Sequence, residues 1–537
     1  MKNLLYKQLY SLHSWVGLVT GILLFVVAFT GALSVFGHPE LKIWSNPELR
    51  GPITLQPEKV TALVERYAKE VPQKHLDNIS VDLPSDSTAF NLRIRFENHT
   101  HDEENPGPET AIEYEFDPKT YELLKKREGE FSEIFSRPTD MSSFITGFHA
   151  DLHLGRPIGL LLTGLLGLTL MASVVTGILI HRKILKQFFT FRFNKNLRLM
   201  LSDGHKALGI WSVLFQAVIG FTGAFLGLAL VILVPAAAFV SFEGDQEKLL
   251  NEFNSMPEPQ LSHIEQPTQV LPTLQHALEY HEDSAVTQLS IMGWNDKNAI
   301  IYANLLGGPQ LHSLVLKYQA DGTFEEAYGS LSKIEGFSGV IFDIMFPLHF
   351  GNFGGLFVKI IWAVLGLSTA LLPLTGLMLW IERGINLNKP QFTLQTYKRF
   401  NQLLIGSCGG LVLACVILFP LQLLLNVTLE ESHHKTYIYS FFFGSWLICT
   451  FGALLFKEAA KTFKYLVLIT GILLLAILPL DLMINGLAPL KIFESYQFTT
   501  LSINLVTFGI GFYLFKASTR VEQKMLSSIP NLSPVNT

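Results

Sequence analysis

Four histidines, His13, His153, His205 and His349, stand at repeated places in this 537-residue chain, and their spacing is where a chemical reading begins. LHSWVGLVTGILLFVVAFTGA, from Leu12, places His13, Gly17, Thr30 and Gly31 along one apolar run. GHKALGIWSVLFQAVIGFTGAF places His205, Gly209, Thr222 and Gly223 at the same intervals, with Gly four residues and Thr 17 residues after each His. A looser repeat sets His153 before Thr176 and Gly177, and His349 before Thr375 and Gly376; its two His-to-Thr intervals differ by three residues, about one helical turn. At about 1.5 Å rise per residue, His13 and the Thr30-Gly31 pair lie roughly 25 Å apart, near opposite faces of a bilayer. Neutral imidazoles reaching inward from bundled helices suit the axial positions of a haem iron, and Gly17, Gly21, Gly155, Gly159, Gly209 and Gly351 beside them leave room for a flat macrocycle. A twofold repeat axis along the membrane normal brings His13 to His205 at one face and His153 to His349 at the other. Two haems placed so would form a wire through the membrane. The competing reading makes each His an ordinary interfacial side chain, and four at repeated positions weigh against it.

Other histidines compete for these roles. His149 lies four residues before His153, so on a helix both face one way, and with His349 they would make a divalent metal site of zinc or copper type. His181, just past Thr176 and Gly177 where the other copy has Trp380, is an alternative ligand at the inner face. His38 reads as a loop residue, and the adjacent His433 and His434 carry no signal. Cys408, Cys415 and Cys449 fall in apolar runs without CxxC or zinc spacing and read as packing residues.

The elements that must hold these side chains are membrane helices. The chain is 49% hydrophobic and 16% charged, and a net charge of -5 with no contiguous basic face gives no reason to expect nucleic acid. Eight apolar runs are long enough to span: 14–36, 157–180, 207–240, 354–381, 402–426, 437–456, 465–488 and 499–516. The first lacks a cleavage pattern and reads as a retained helix. Arg182, Lys183, Lys186, Arg192, Lys195 and Arg198 follow the second run without an acidic residue, which puts that loop and both termini in the cytoplasm. His13 and His205 then sit at the inner boundary, His153 and His349 at the outer one.

Two hydrophilic insertions, 37–148 and 241–345, lie outside. Each begins with a proline-led amphipathic helix, at Pro57 and Pro267, and continues in strand-like segments: FNLRIRFE and AIEYEFDPKTYELL in the first, AIIYANLL and HSLVLKYQADGTFEEAYG in the second. Helix, module, helix is thus a unit used twice. The divisions are a first helix (1–36), module 1 (37–148), second and third helices (149–240), module 2 (241–345), a fourth helix (346–390) and a four-helix extension (391–537). In the extension, Asp481 reads as a solvated or capping residue at a helix end.

LHSWVGL with AFTG, LHLG with VTGILI, GHKALGIW with FTGAF, and PLHFGNFGG with LTGLMLW, in that order, resemble the PepSY-associated transmembrane proteins, a family that includes bacterial inner-membrane siderophore reductases and iron-regulated membrane proteins. The resemblance covers residues 1 to 390, and it identifies the two outer modules as PepSY-like. With the eight apolar runs counted above, the chain reads as a mainly α-helical polytopic membrane protein of eight transmembrane helices, with two periplasmic α+β modules and an internal repeat. The resemblance implies two haem b groups, with iron held by His13, His205, His153 and His349, and electrons delivered across the membrane to a ferric siderophore or other ferric chelate. Reduction to Fe(II) is itself the release step, since such chelators hold Fe(III) far more tightly. The four-helix extension and His181, where an aromatic is usual, depart from the family pattern. No GxGxxG lies in strand-turn-helix context, so the electron donor is external, a quinol or a soluble reductase. Two other readings stand beside this one: a non-redox PepSY-type protein that binds or regulates a partner such as a peptidase, and a metal transporter using His149, His153 and His349.

Overall fold

In lipid the backbone of an apolar run must satisfy its own N–H and C=O groups, so long runs become helices. The computed structural model describes the chain apart from residues 1, 52, 85–89, 100–108, 182–191, 193–195, 247, 250–255, 283, 308–313, 330–336, 387–390, 457, 487–494 and 529–537. Arg182, Lys183, Lys186 and Lys195 of the basic loop therefore lie outside the described residues. The chain divides into two compact units, one of Met1–Pro47, Pro138–Val231 and Lys359–Thr537, the other of Glu48–Arg137 and Ile232–Val358.

The first unit is helical. It holds α1 (Lys2–Ser34), α2 (Lys42–Ser45), α5 (Met141–Asp151), α6 (Ile158–Ile180), α7 (Leu197–Trp211), α8 (Val213–Leu228) and nearly all of α12 (Gly355–Ile385). It continues in α13 (Leu394–Leu404), α14 (Gly410–Thr428), α15 (Glu431–Leu455), α16 (Ala459–Asn485) and α17 (Ser495–Ser528). Among the described residues seven helices are long and apolar enough to span a membrane, and eight if the bent pair α7–α8 counts as one.

That pair differs from the single run expected over 207–240. The span starts at Leu197 and bends by 68° at Ser212, whose hydroxyl donates back to Leu208 O at 2.5 Å and accepts Gln216 Nε2 at 2.6 Å. Side-chain hydroxyls bonded back into the ladder bend helices. The matching place in the first copy, Thr20, also bonds back, to Val16 O, yet α1 is unbroken; there Leu24 stands where Gln216 is. Glycines set the closest approach: a Cβ on Gly167 of α6 would stand 2.7 Å from Ala224 N of α8, and one on Gly227 would stand 2.6 Å from Gly164 Cα.

The C-terminal helices share a core with the repeat, joining Phe25, Trp44, Phe144 and Leu377 to Leu411, Leu418 and Phe442. Asp481 corrects the expectation of a solvated end: it is fully buried, accepting Asn485 Nδ2 at 2.6 Å and Asn504 Nδ2 at 2.7 Å, while Asn504 Oδ1 accepts Trp44 Nε1 at 2.9 Å. The apolar run hid these polar partners.

The second unit carries one antiparallel sheet of order β4-β3-β2-β1-β5-β6-β7-β8, with β1 Asn78–Asp82, β2 Leu92–Asn98, β3 Thr110–Phe116, β4 Leu123–Glu130, β5 Ser284–Met292, β6 Ile300–Gly307, β7 Leu314–Gln319 and β8 Phe324–Gly329. The two modules expected from the sequence are thus halves of a single sheet, joined by β1 and β5 with Ser80 opposite Ser290. About that point NISV (78–81) and QLSI (288–291) are equivalent segments, with Ile79 paired to Ile291 and Val81 to Leu289. Helices α3 (Pro57–Ala68) and α10 (Val270–Glu279) cover one face, packing Val60, Val64 and Leu274 on Ile79, Phe96, Leu289 and Ile301.

The opposite face carries charge. Glu113 of β3 accepts Arg127 Nε at 3.1 Å and Arg137 Nη2 at 2.8 Å; Arg95 of β2 is held by Asp82 at 2.5 and 2.8 Å beneath the Phe135 ring. Across β7 and β8 the matching positions reverse sign, Lys317 meeting Glu325 at 2.8 Å and Glu326 at 3.8 Å. Burial alone would raise the Glu113 carboxyl, but Arg137 and Arg127 hold it down at about 2. Replacing Glu113 by Gln at pH 7 is expected to loosen this half of the sheet by about 2 kcal/mol, because the half-buried guanidiniums of Arg127 and Arg137 lose the buried anion they share. Hydrogen exchange of the β3 amides measures it. The difference from the parent should fade as pH falls from about 4 toward 2, where the native carboxylate itself takes up a proton.

Candidate functional site

Two of the predicted histidines meet. His13 on α1 and His205 on α7 have ring centroids 6.2 Å apart with planes at 76°. Each is seated by the second helix of its own repeat. His13 Nδ1 bonds Thr176 Oγ1 on α6 at 3.0 Å; His205 Nδ1 bonds Leu372 O at 3.1 Å and Thr375 Oγ1 at 3.2 Å on α12. Both threonine hydroxyls give their own protons back to their helices, Thr176 to Ala172 O at 2.6 Å and Thr375 to Leu371 O at 2.9 Å, so each accepts from the imidazole. A carbonyl can only accept. The bonding therefore assigns the proton to Nδ1 in both rings and leaves the Nε2 lone pairs available, the tautomer a metal needs. Neither Nε2 has a hydrogen bond among the described residues.

The glycine after each threonine completes the seat. A Cβ at Gly177 would stand 3.5 Å from His13 Cε1, and one at Gly376 would stand 3.1 Å from His205 Cε1. One turn beyond each histidine the helix face is bare, with nothing within 4 Å of a Cβ at Gly17 and only Leu372, at 3.4 Å, near one at Gly209. A metal–imidazole bond of about 2 Å, with the ring centre about 1 Å further, sets two imidazoles on one ion about 6 Å apart. The donor set and its spacing fit an ion held between two rings, as in a haem with two axial histidines.

The other predicted residues are placed differently. α5 is capped by Asp140, whose carboxylate accepts Ser143 N at 2.8 Å and pairs with Lys42. His149, on this helix, lies against α1: its Nδ1 bonds Val27 O at 2.9 Å, and a Cβ at Gly31 would stand 2.6 Å from its Cε1. His153 does not share that face. The helix stops at Asp151, Leu152 and His153 are left-handed (φ 55° and 53°), and the His153 ring folds back across α5 at Gly147, where a Cβ would be 2.9 Å from Cε1. Its Nε2 bonds Phe144 O at 2.9 Å and its Nδ1 meets the Tyr439 hydroxyl of α15 at 3.1 Å. Both ring nitrogens are thereby committed to protein partners.

His349 is half-buried on α11 (Phe337–Phe350) of the sheet-bearing unit, beside Phe350. His181 ends α6, its two ring nitrogens buried without a hydrogen bond among the described residues. No group of three or more His, Cys, Asp or Glu side chains that could hold a metal ion comes together among the described residues.

Sequence reasoning recorded Thr176 and Thr375 as marks of the repeat and missed their work as imidazole acceptors; their constant place before glycine was the available signal. It also missed Tyr439, which lies outside the repeat. His149 precedes Thr176 by 27 residues and His349 precedes Thr375 by 26, closer than the 23 of His153, an interval that favours His149 as the counterpart.

A duplicated membrane bundle with paired, proton-directed imidazoles and an appended antiparallel sheet defines the class. The chain belongs to the family described as the PepSY-associated TM region, whose model matches residues 10–383. A relative from Pseudomonas aeruginosa, described as an uncharacterised protein, is 27% identical over 287 residues, covering 51% of this chain and 70% of its own length. Helices α13–α17 lie beyond the family match.

If His153 ties α5 to α15, the His153–Tyr439 bond should appear in a double-mutant cycle. Tyr439→Phe and His153→Phe, singly and together, are expected to show a coupling of about 1 kcal/mol in thermal unfolding of the detergent-solubilised protein.

Proposed function

We propose that the chain is a dihaem electron-transfer protein of the bacterial inner membrane that reduces a ferric siderophore, or another ferric chelate, on the periplasmic side. The observation that carries this reading is the His13–His205 pair, with protonated Nδ1 atoms seated on Thr176 and Thr375 and Nε2 atoms unclaimed. Haem b, when bound, supplies a one-electron Fe(III)/Fe(II) relay. The residues of the chain do the rest. His13 and His205 hold the inner haem. Thr176, Thr375 and Leu372 O fix the ring orientation and make the imidazoles better donors. The small residues beside them admit the macrocycle, and the apolar helices keep water away.

For the outer haem, His149 replaces His153 in this reading, since both nitrogens of His153 are engaged. His349 is its partner on the strength of the sequence repeat. Lys and Arg in the short connections orient the bundle with His13 and His205 toward the cytoplasm and the sheet outside. Electrons enter from a quinol or a soluble reductase.

A visible spectrum of the purified protein tests this directly. A reducible Soret band with sharp α and β bands is expected, and a colourless protein from haem-replete cells would refute the reading. In single variants, His13→Ala and His205→Ala should each remove the same one of two haems, about half the Soret absorbance. His149→Ala should remove the other, and His153→Ala should keep both. Loss of haem in His153→Ala with retention in His149→Ala would return the outer ligand to His153.

A further inference from the structure

The C-terminal end of α12 places a cation beside the histidine pair that the ligand assignment leaves unused. Arg383 lies eight residues beyond Thr375, about 12 Å along the helix, and side chains on a helix lean toward its N-terminus, here back toward the His205 seat. Its Nη1 donates to the hydroxyl of Tyr10, which stands on α1 three residues before His13 and so on the same helical face. Arg383 is thus tied through Tyr10 to the helix that carries His13, and it lies on the helix that seats His205.

Its own bonding is incomplete. Nε is buried with no hydrogen-bond partner, and no carboxylate pairs with Arg383 among the described residues. A neutral phenol is a weak match for a fork of five donors built for a planar anion. Leaving a buried nitrogen of a charged group unpaired is unfavourable. An acceptor brought in with the ligand removes that penalty.

We propose that Arg383, steadied by Tyr10, anchors a carboxylate of the group held between His13 and His205, namely a propionate of haem b. This rests on the haem assignment above and adds an orientation: the propionate edge of the inner macrocycle faces the C-terminal end of α12 and the N-terminal part of α1. A cation there also favours the reduced, less positive iron, so Arg383 sets the inner potential as well as the pose.

Redox titration of the purified holoprotein tests it. Arg383→Gln is expected to move one haem midpoint to lower potential while the other stays, with the bis-imidazole low-spin spectrum unchanged. Arg383→Lys, which keeps the charge and loses the fork, should lower it less. Tyr10→Phe should give a smaller shift of the same haem, and it carries the test should Arg383→Gln fail to assemble. Arg399→Gln, an exposed cation on α13, should leave both midpoints in place. Unchanged midpoints in the Arg383 and Tyr10 variants, or an equal shift in Arg399→Gln, would overturn the anchor and leave the haem reading standing. A parent protein without haem would fail at the first spectrum and take the anchor with it.

Discussion

A polar group surrounded by hydrocarbon must find its partner inside the protein, and here that rule is met by imidazole Nδ1–H groups bonded to the oxygen atoms of a neighbouring helix. His13 on Thr176, His205 on Leu372 and Thr375, and His149 on Val27 are three instances. Each bond fixes where a ring lies and which nitrogen keeps the proton. Each also needs close backbones, which Gly177, Gly376 and Gly31 allow. Helix approach, tautomer and donor direction are therefore one constraint, and the interhelical spacing follows from it.

Duplication explains what is the same in the two halves and throws the differences into relief. The Thr-Gly seat is reproduced, while α1 runs straight and its counterpart breaks at Ser212 where Gln216 offers a further polar partner. In the sheet, the paired positions across the outer strands survive with Glu and Arg in one half and Lys and Glu in the other. The place of an ion pair is retained and its polarity is free, since a cross-strand pair needs opposite charges in either order. The C-terminal helices have no such copy. They meet the repeat through side chains of their own, Tyr439 at His153 and Asn504 at Trp44.

Much of this was legible in the residues. Apolar run length located the spanning helices, since lipid leaves a run of that length little choice, and the intervals from His to Thr-Gly pointed to His13 and His205 as partners. The histidines beyond the first helix were harder. Helical spacing put His149 and His153 on one face, but α5 ends at Asp151 and both Leu152 and His153 are left-handed, and non-glycine residues give no warning of that turn. The joining strands β1 and β5 escaped notice because NISVD is short and both strands carry a serine at the centre of their pairing, so neither shows a long apolar alternation. Arg383 was visible in the motif LTGLMLWIER, yet only the fold reveals an unsatisfied donor.

The pairing of β1 with β5 bears on how such a chain arose. The register about Ser80 and Ser290 is self-complementary, as an interface between identical subunits must be. A polypeptide of one repeat unit, helix, module, helix, would complete the same sheet by association with its twin. Fusion into a single chain then freed each half to diverge. The kinked span and the reversed charges mark that divergence, while the shared centre of the sheet holds the two halves in register.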